Sequence, residues 1–302
     1  VTLDKASALL PGGSDVSLLG FLSFIEGEPH FDGEVAAASD NLRSLLGWVG
    51  VDVSALPADR LRGFSYASKI KLTPIALEAQ DINARLDAST MTGGLAVALR
   101  ERPGFGLRLA IDQMNLDAYL PLPQHKTAIG RSVKEDAPKA APLPSIASSL
   151  SVLNSFDANI DMEIDRLTIK KTLARRVHID GLLVGGSFNI RKANVADFAG
   201  ATASVSGGVK DLATNPSVGL NYRVEVNDTV KLLRFLGSPQ PALLRKLGKP
   251  KLFGRADGVL DAFSVKSEVA ASGAKLVLEG HVKKIMTQAV LELGVAINHP
   301  EL

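Results

Sequence analysis

The chain has 302 residues, enough for one large or two ordinary domains. It is 46% hydrophobic but only 5% aromatic, so any extended apolar surface it builds is aliphatic. Its 34 Lys and Arg against 32 Asp and Glu leave a formal charge of +2, which argues against a nucleic-acid groove. The absence of Cys excludes disulfides, thiolate metal sites and a Cys nucleophile. No apolar run approaches the ~18–20 residues of a membrane-spanning helix.

Taken in order, Val16 to Ile25 and Phe31 to Ala37 read as strands. Asp40 then reads as an N-cap, followed by Leu42, Leu45, Leu46 and Val49 at helical spacing and by Gly50 as a stop. From Phe64 the period of two returns: Phe64, Tyr66, Ile70, Leu72, then Ile75, Leu77, Ala79, then Ile82, Ala84, Leu86. Leu95, Val97 and Leu99 form a further strand, and Phe105, Leu107, Leu109 and Ile111 the next, leading to a cap at Asn115. Residues 122–155 carry Pro123, Pro138, Pro142 and Pro144 without a sustained period, and read as a linker or insertion. The expected organisation is a β-rich region at 1–121, this linker, and a second β-rich region at 156–302.

The second region opens on the strictest alternation in the chain. Phe156, Ala158, Ile160, Met162 and Ile164 fall on one face, and Asp157, Asn159, Asp161, Glu163 and Asp165 on the other. Separate short strands are read at 167–169, 177–179, 188–190, 193–198 and 201–205, and a longer one through Val218 to Val226 into a helix capped at Asn227. After a Pro-containing segment, alternation resumes and ends with Ala289, Leu291, Leu293, Val295 and Ile297 before Asn298.

The strand-to-cap junctions at Asp40, Asn115, Asn227 and Asn298 are spaced by 75, 112 and 71 residues. Leaving out the 34 residues of the linker brings the middle interval to 78, close to the other two. Leu45-Leu46-Gly47-Trp48-Val49-Gly50 also parallels Leu232-Leu233-Arg234-Phe235-Leu236-Gly237. Such periodicity predicts an array whose units lean on their neighbours. Leu46 and Leu233 are expected to pack against sheet ends.

Two stretches resemble the AsmA family of bacterial envelope proteins. One is Asp40 to Gly50 with Leu56-Pro57 and Leu61-Arg62-Gly63-Phe64; the other is Leu109 to Leu120 with Ile164-Asp165-Arg166-Leu167-Thr168. The resemblance covers most of the chain outside the linker. It implies a periplasmic protein, held in the inner membrane by a helix outside this fragment. It further implies a curved β-groove of the bridge-like type that moves phospholipid toward the outer membrane. The fold expected is therefore mostly β: an elongated, curved antiparallel sheet of repeated units with short helices at their junctions.

Catalysis needs convergent polar groups, and none converge. His30, His125, His178, His281 and His299 are scattered without metal-ligand spacing. The acidic row from Asp157 to Asp165 reads as a solvated strand face that discourages edge pairing. Gly185-Gly186 and Gly207-Gly208 read as turns or bulges, and Arg175-Arg176 and Lys283-Lys284 as hairpin tips. No enzyme activity, cofactor, metal or nucleic-acid partner is expected. The alternating aliphatic residues leave two readings open: the closed core of a sandwich, or the lining of an open lipid groove. For the groove, the lining residues are Leu95, Val97, Leu99, Leu107, Leu109, Ile111, Ile160, Met162, Ile164, Leu291, Leu293 and Val295. The expected partners are then phospholipid and components of the inner and outer membranes. The alternative function is a structural or assembly factor for outer-membrane protein biogenesis, acting through protein contacts.

Overall fold

The computed structural model describes residues 1–120, 152–212, 214–237, 248–259, 262–271, 274–283 and 290–298. Period-two alternation yields a first set of seven strands. They are β1 (Thr2–Leu10), β2 (Ser14–Ile25), β3 (Glu28–Ser39), β4 (Phe64–Leu72), β5 (Ala76–Leu86), β6 (Ser89–Ala98) and β7 (Gly104–Asn115). The second set begins with β8 (Asp157–Ile169), β9 (Thr172–Val184), β10 (Ser187–Phe198), β11 (Ala201–Lys210) and β12 (Ser217–Val226). It ends with β13 (Lys251–Val259), β14 (Ala262–Ala271), β15 (Ala274–Lys283) and β16 (Val290–Asn298). Helix α1 (Leu42–Trp48) joins β3 to β4, and α2 (Thr229–Phe235) joins β12 to β13.

Among the described residues, 16 strands form one sheet in sequence order, from β1 at one edge to β16 at the other, so this sheet is open. Strands make extensive contact only with their ladder neighbours. That is the quasi-one-dimensional arrangement expected of an array. Every pairing is antiparallel except β7 with β8, which run parallel. The expected linker, 122–155, connects these two strands and falls almost wholly outside the described residues. The two β-rich regions meet edge to edge in a single ladder.

Bulges explain the breaks in the alternation. Between Ala79 and Ile82 the register with β6 shifts, and Asp81 takes φ 53°. The extra residue at Gln80-Asp81 keeps Leu77, Ala79, Ile82 and Ala84 on one face of a single strand. The segments 188–190 and 193–198 are likewise one strand, β10, with a register shift after Ile190. The segment 167–169 belongs to β8. Strand β1 was not expected at all; its pairing is irregular between Leu3 and Ala6.

Direction reverses at each antiparallel step, and the single parallel step restores parity. Consequently β3, β7, β12 and β16 all finish on the same rim. The two helix junctions, after β3 and after β12, are built alike there. Gly12, in the β1–β2 turn at φ 82°, accepts a hydrogen bond from Asn41 N at 2.9 Å. Gly200, in the β10–β11 turn at φ 82°, accepts from Asn227 N at 2.8 Å and Asp228 N at 2.9 Å. A side chain at either glycine would collide with the passing junction backbone, and the positive φ favours glycine in any case. The recurrence thus extends from helix sequence to the turn beneath each helix.

The caps sit one residue later than expected. Asn41, not Asp40, precedes α1 and makes no capping side-chain bond, while Asp228, not Asn227, accepts from Lys231 N at 3.0 Å. Asn115 precedes only a 3-10 turn, Leu116–Tyr119, and the residues after Asn298 lie outside those described. Leu233 is buried and Phe235 meets Phe198 edge-on at 4.9 Å, whereas Leu46 is half-buried and α1 holds no buried residue. The packing expected of both helices is therefore strong only for α2.

Between these junctions, the Asp87 carboxylate clamps the same rim. It accepts from Leu61 N at 2.9 Å, Arg62 N at 2.9 Å and Tyr119 Oη at 2.8 Å. Burial works to raise the Asp87 carboxyl, but the hydrogen bonds from Tyr119, Arg62 and Leu61 outweigh it and hold it below its ordinary value. Burial, with the hydrogen bond to Asp87, pushes the Tyr119 phenol up to about 12. Asp87→Asn should lower the melting temperature at neutral pH by roughly 2–4 °C. The sign of the linkage sets the window. A lowered carboxyl stabilises above ~4 and loses its contribution as pH falls through the folded value. A raised phenol stabilises below ~10 and loses its contribution as pH rises through the folded value. The gap between wild type and Asp87→Asn should close at both ends; a gap that is constant with pH in thermal melts would show that the clamp does not titrate.

Candidate functional site

The pairing registers define two faces without ambiguity. Starting from Leu107, direct partners run Ile70, Ala79, Leu95, Leu107, Ile160, Gly181, Ile190, Gly207, Leu220, Ala256, Val265 and Gly280, one per strand from β4 to β15. The adjacent row runs from Leu77 through Val97, Phe105, Ala158, Leu183, Phe188, Val209 and Val218. Among the described residues, every buried hydrophobic residue on a strand lies on this face, and so do the buried Ser14, Ser39, Ser68 and Ser267. A flat single-layered sheet would bury its two faces alike. The asymmetry places this apolar face on the inside of the curve.

The inner face is nonetheless open. Among the described residues of this face, few large side chains are closed over: Ile111, Ile164 and Leu183 are each 4% exposed, while Leu95, Leu107, Leu109 and Ile160 are only half-buried. A sandwich core would enclose many. Three aromatics lie across glycines and smooth the surface: Phe31 over Gly20 and Gly33, Phe188 over Gly181, and Tyr222 over Gly254. Tyr222 Oη reaches Ser267 Oγ at 2.5 Å across β13, and Ser68 Oγ donates to Tyr66 Oη at 2.8 Å. These hydroxyls satisfy one another. From β2 to β15, no inner-face position between the turn-bearing rim and the Ile111–Ile164–Val177 row carries Asp, Glu, Lys, Arg or His. At ~4.8 Å per strand this uncharged surface is about 60 Å long.

Of the residues expected to line a groove, Leu95, Val97, Leu107, Leu109, Ile160 and Met162 are half-buried on this face and are brought together by β6, β7 and β8. Ile111 and Ile164 are on it too, but each is only 4% exposed. They form a packed cluster with Leu167 and Ala174, bordered by Met91, Met114 and Met162, so they support the floor rather than line it. Leu99 lies past the end of β6, 44% exposed in the turn, with its amide donating to Ile75 O at 2.8 Å, and is not part of the lining. Leu291, Leu293 and Val295 pair with Val282, Gly280 and Leu278 in the β15–β16 ladder; their side chains lie outside those described. Residues such as Ile179, Val205 and Leu220 extend the face, and the same alternation pointed to them.

The outer face carries the charge. Asp161 accepts from Arg108 Nε at 3.0 Å, and His178 Nε2 lies 3.0 Å away. The His178 hydrogen bond, with Arg108 beside it, holds the Asp161 carboxyl below its ordinary value. Asp180 pairs with Arg191, whose other bond goes to Asn159 Oδ1 at 2.5 Å. In the acidic row on β8, Asp157 and Asp161 are paired with cations of neighbouring segments, and the row lies in mid-sheet rather than guarding an edge, because β8 has a partner on both sides. A depression of about 570 Å³ lies there over Gly94, Ala96 and Gly106. The charges of Arg108, Asp161, Asp180 and Arg191 around it are spent on one another. Gly207 sits within β11 opposite a register shift of β10. Arg175-Arg176 lies within β9, and the hairpin tip is Lys170-Lys171 instead.

No protein-family model, no curated protein and no solved structure matches this chain.

Proposed function

We propose that this chain is a non-catalytic lipid-binding protein that carries phospholipid acyl chains along its inner face. One observation carries the reading: an uncharged, largely apolar surface that is continuous over about 60 Å and not closed over by a second layer. Apolar surface of that extent left open on a soluble chain marks an interaction site. Each methylene taken from water contributes roughly 0.8 kcal/mol, so an acyl chain moving between membranes needs a lining without gaps. Transfer across the bacterial envelope, a periplasmic setting and an anchor in the inner membrane extend this reading, and they rest on the AsmA-like stretches described above.

Native mass spectrometry of the purified chain tests it. The expected result is a set of adducts at phospholipid masses that survive gentle desolvation. A clean unliganded mass after expression in cells rich in phospholipid, with a stoichiometric protein partner instead, would favour the assembly-factor reading.

A further inference from the structure

Several cations of the sheet pair with acids on the neighbouring strand, such as Lys69, Arg108 and Arg191, but a cluster at one rim does not. Lys170, Lys171 and Arg175 from the β8–β9 hairpin, with Lys231 and Arg234 from α2, surround a pocket of about 770 Å³ on the helix-bearing rim. Lys231 pairs with Asp228 at 3.4 Å, but the side chains of Lys170, Lys171, Arg175 and Arg234 have no acidic partner among the described residues. The carboxylate that lines the pocket, Asp197, accepts from Gly200 N at 3.1 Å. The backbone fixes the cations in place: Asp117 holds the amides of Lys170 and Lys171 at 2.7 and 2.6 Å, and Gly200 holds the start of α2.

The pocket is not purely polar. Leu173, Phe235 and Leu236 complete its wall, and Phe235 packs on Phe198, which borders the inner-face cluster. Its size falls within the ~300–1,000 Å³ of ordinary ligand sites. An anion held by Lys and Arg from two elements, beside an apolar wall that leads onto an acyl-binding surface, matches the phosphate end of a lipid.

We propose that this pocket binds the phosphate of an anionic phospholipid whose tails lie on the inner face, a site that rests on the lipid-binding reading. The cations would select for net negative headgroups and fix where along the sheet a lipid pauses.

The test is calorimetric titration of the whole chain with three probes: dihexanoyl-phosphatidylglycerol below its micelle threshold, dihexanoyl-phosphatidylcholine, and inorganic phosphate. The phosphatidylglycerol should bind at least tenfold tighter than either of the others. K171E/R234E, and more mildly K171Q/R234Q, should weaken it at least tenfold, while K210E at the opposite rim leaves it unchanged; all three sites are exposed, so the fold should persist. Unchanged phosphatidylglycerol binding in K171E/R234E would overturn the proposal and leave the groove intact. Inorganic phosphate binding as tightly as the lipid would assign the pocket to the free anion and overturn the lipid assignment. Uptake of dioctanoylglycerol, which has no phosphate, should be the same in wild type and K171E/R234E. Failure of both proteins to take up that probe would count against the groove, not the pocket.

Discussion

Leu109→Asp should leave a folded sheet that no longer takes up lipid. Leu109 lies in the middle of the inner face, between Gly93 on β6 and Met162 on β8, and is half-buried. Its surroundings hold no cation to pair with a new carboxylate. In the empty groove that carboxylate can turn to water, so the cost to folding is modest. Under an acyl chain it cannot, and an unpaired charge buried there costs several kcal/mol. That offsets the transfer energy of several methylenes at roughly 0.8 kcal/mol each. Labelling by a diazirine phospholipid should therefore fall by about tenfold or more, since each 1.4 kcal/mol is a factor of ten. Leu109→Ala keeps the surface apolar and should label nearly as wild type. Thr92→Asp puts the same charge on the exposed outer face and should also label normally. Equal labelling of wild type and Leu109→Asp, with both melting alike, would remove this row from the lipid path.

How far the sequence reveals this site follows from what each feature depends on. Alternation is local, so it placed Leu95, Val97, Leu107, Leu109, Ile160 and Met162 on one face correctly. It failed where a bulge inserts an odd residue: at Gln80-Asp81, after Ile190, and near Leu3, where the face is kept but the period slips. It could not foresee the parallel pairing of β7 with β8, because a register that joins Leu107 to Ile160 across 53 residues leaves no periodic trace. Nor could it separate lining from floor. Ile111 and Ile164 obey the same pattern as Leu109, and only the curvature of the sheet closes neighbours over them. The cationic pocket was hidden for a related reason. Arg175-Arg176 looked like a tip, yet the pocket draws on Lys170-Lys171 and on α2 about sixty residues later, brought together by the Gly200 turn.

That distinction between lining and floor makes Ile164 the position with the largest expected effect on stability. Its side chain packs with Ile111, Leu167 and Ala174, and β8 is the strand through which the two halves of the sheet are joined. Ile164→Val should cost about 0.5–1.5 kcal/mol and Ile164→Ala about 2–5 kcal/mol, through lost burial and the cavity left behind. Ile164→Asp adds an unpaired buried charge worth several kcal/mol more. Against a total stability on the order of 5–15 kcal/mol, that variant should be largely unfolded at 37 °C. Urea titrations followed by circular dichroism would rank the series as Val, Ala, Asp. Hydrogen exchange should show the Ala variant opening first at the β7–β8 ladder. An array held only by neighbour contacts has no second layer to keep its halves together once that seam loosens. An Asp variant that unfolds at the wild-type urea midpoint would mean that water already reaches Ile164, and that the inner face is open to its floor.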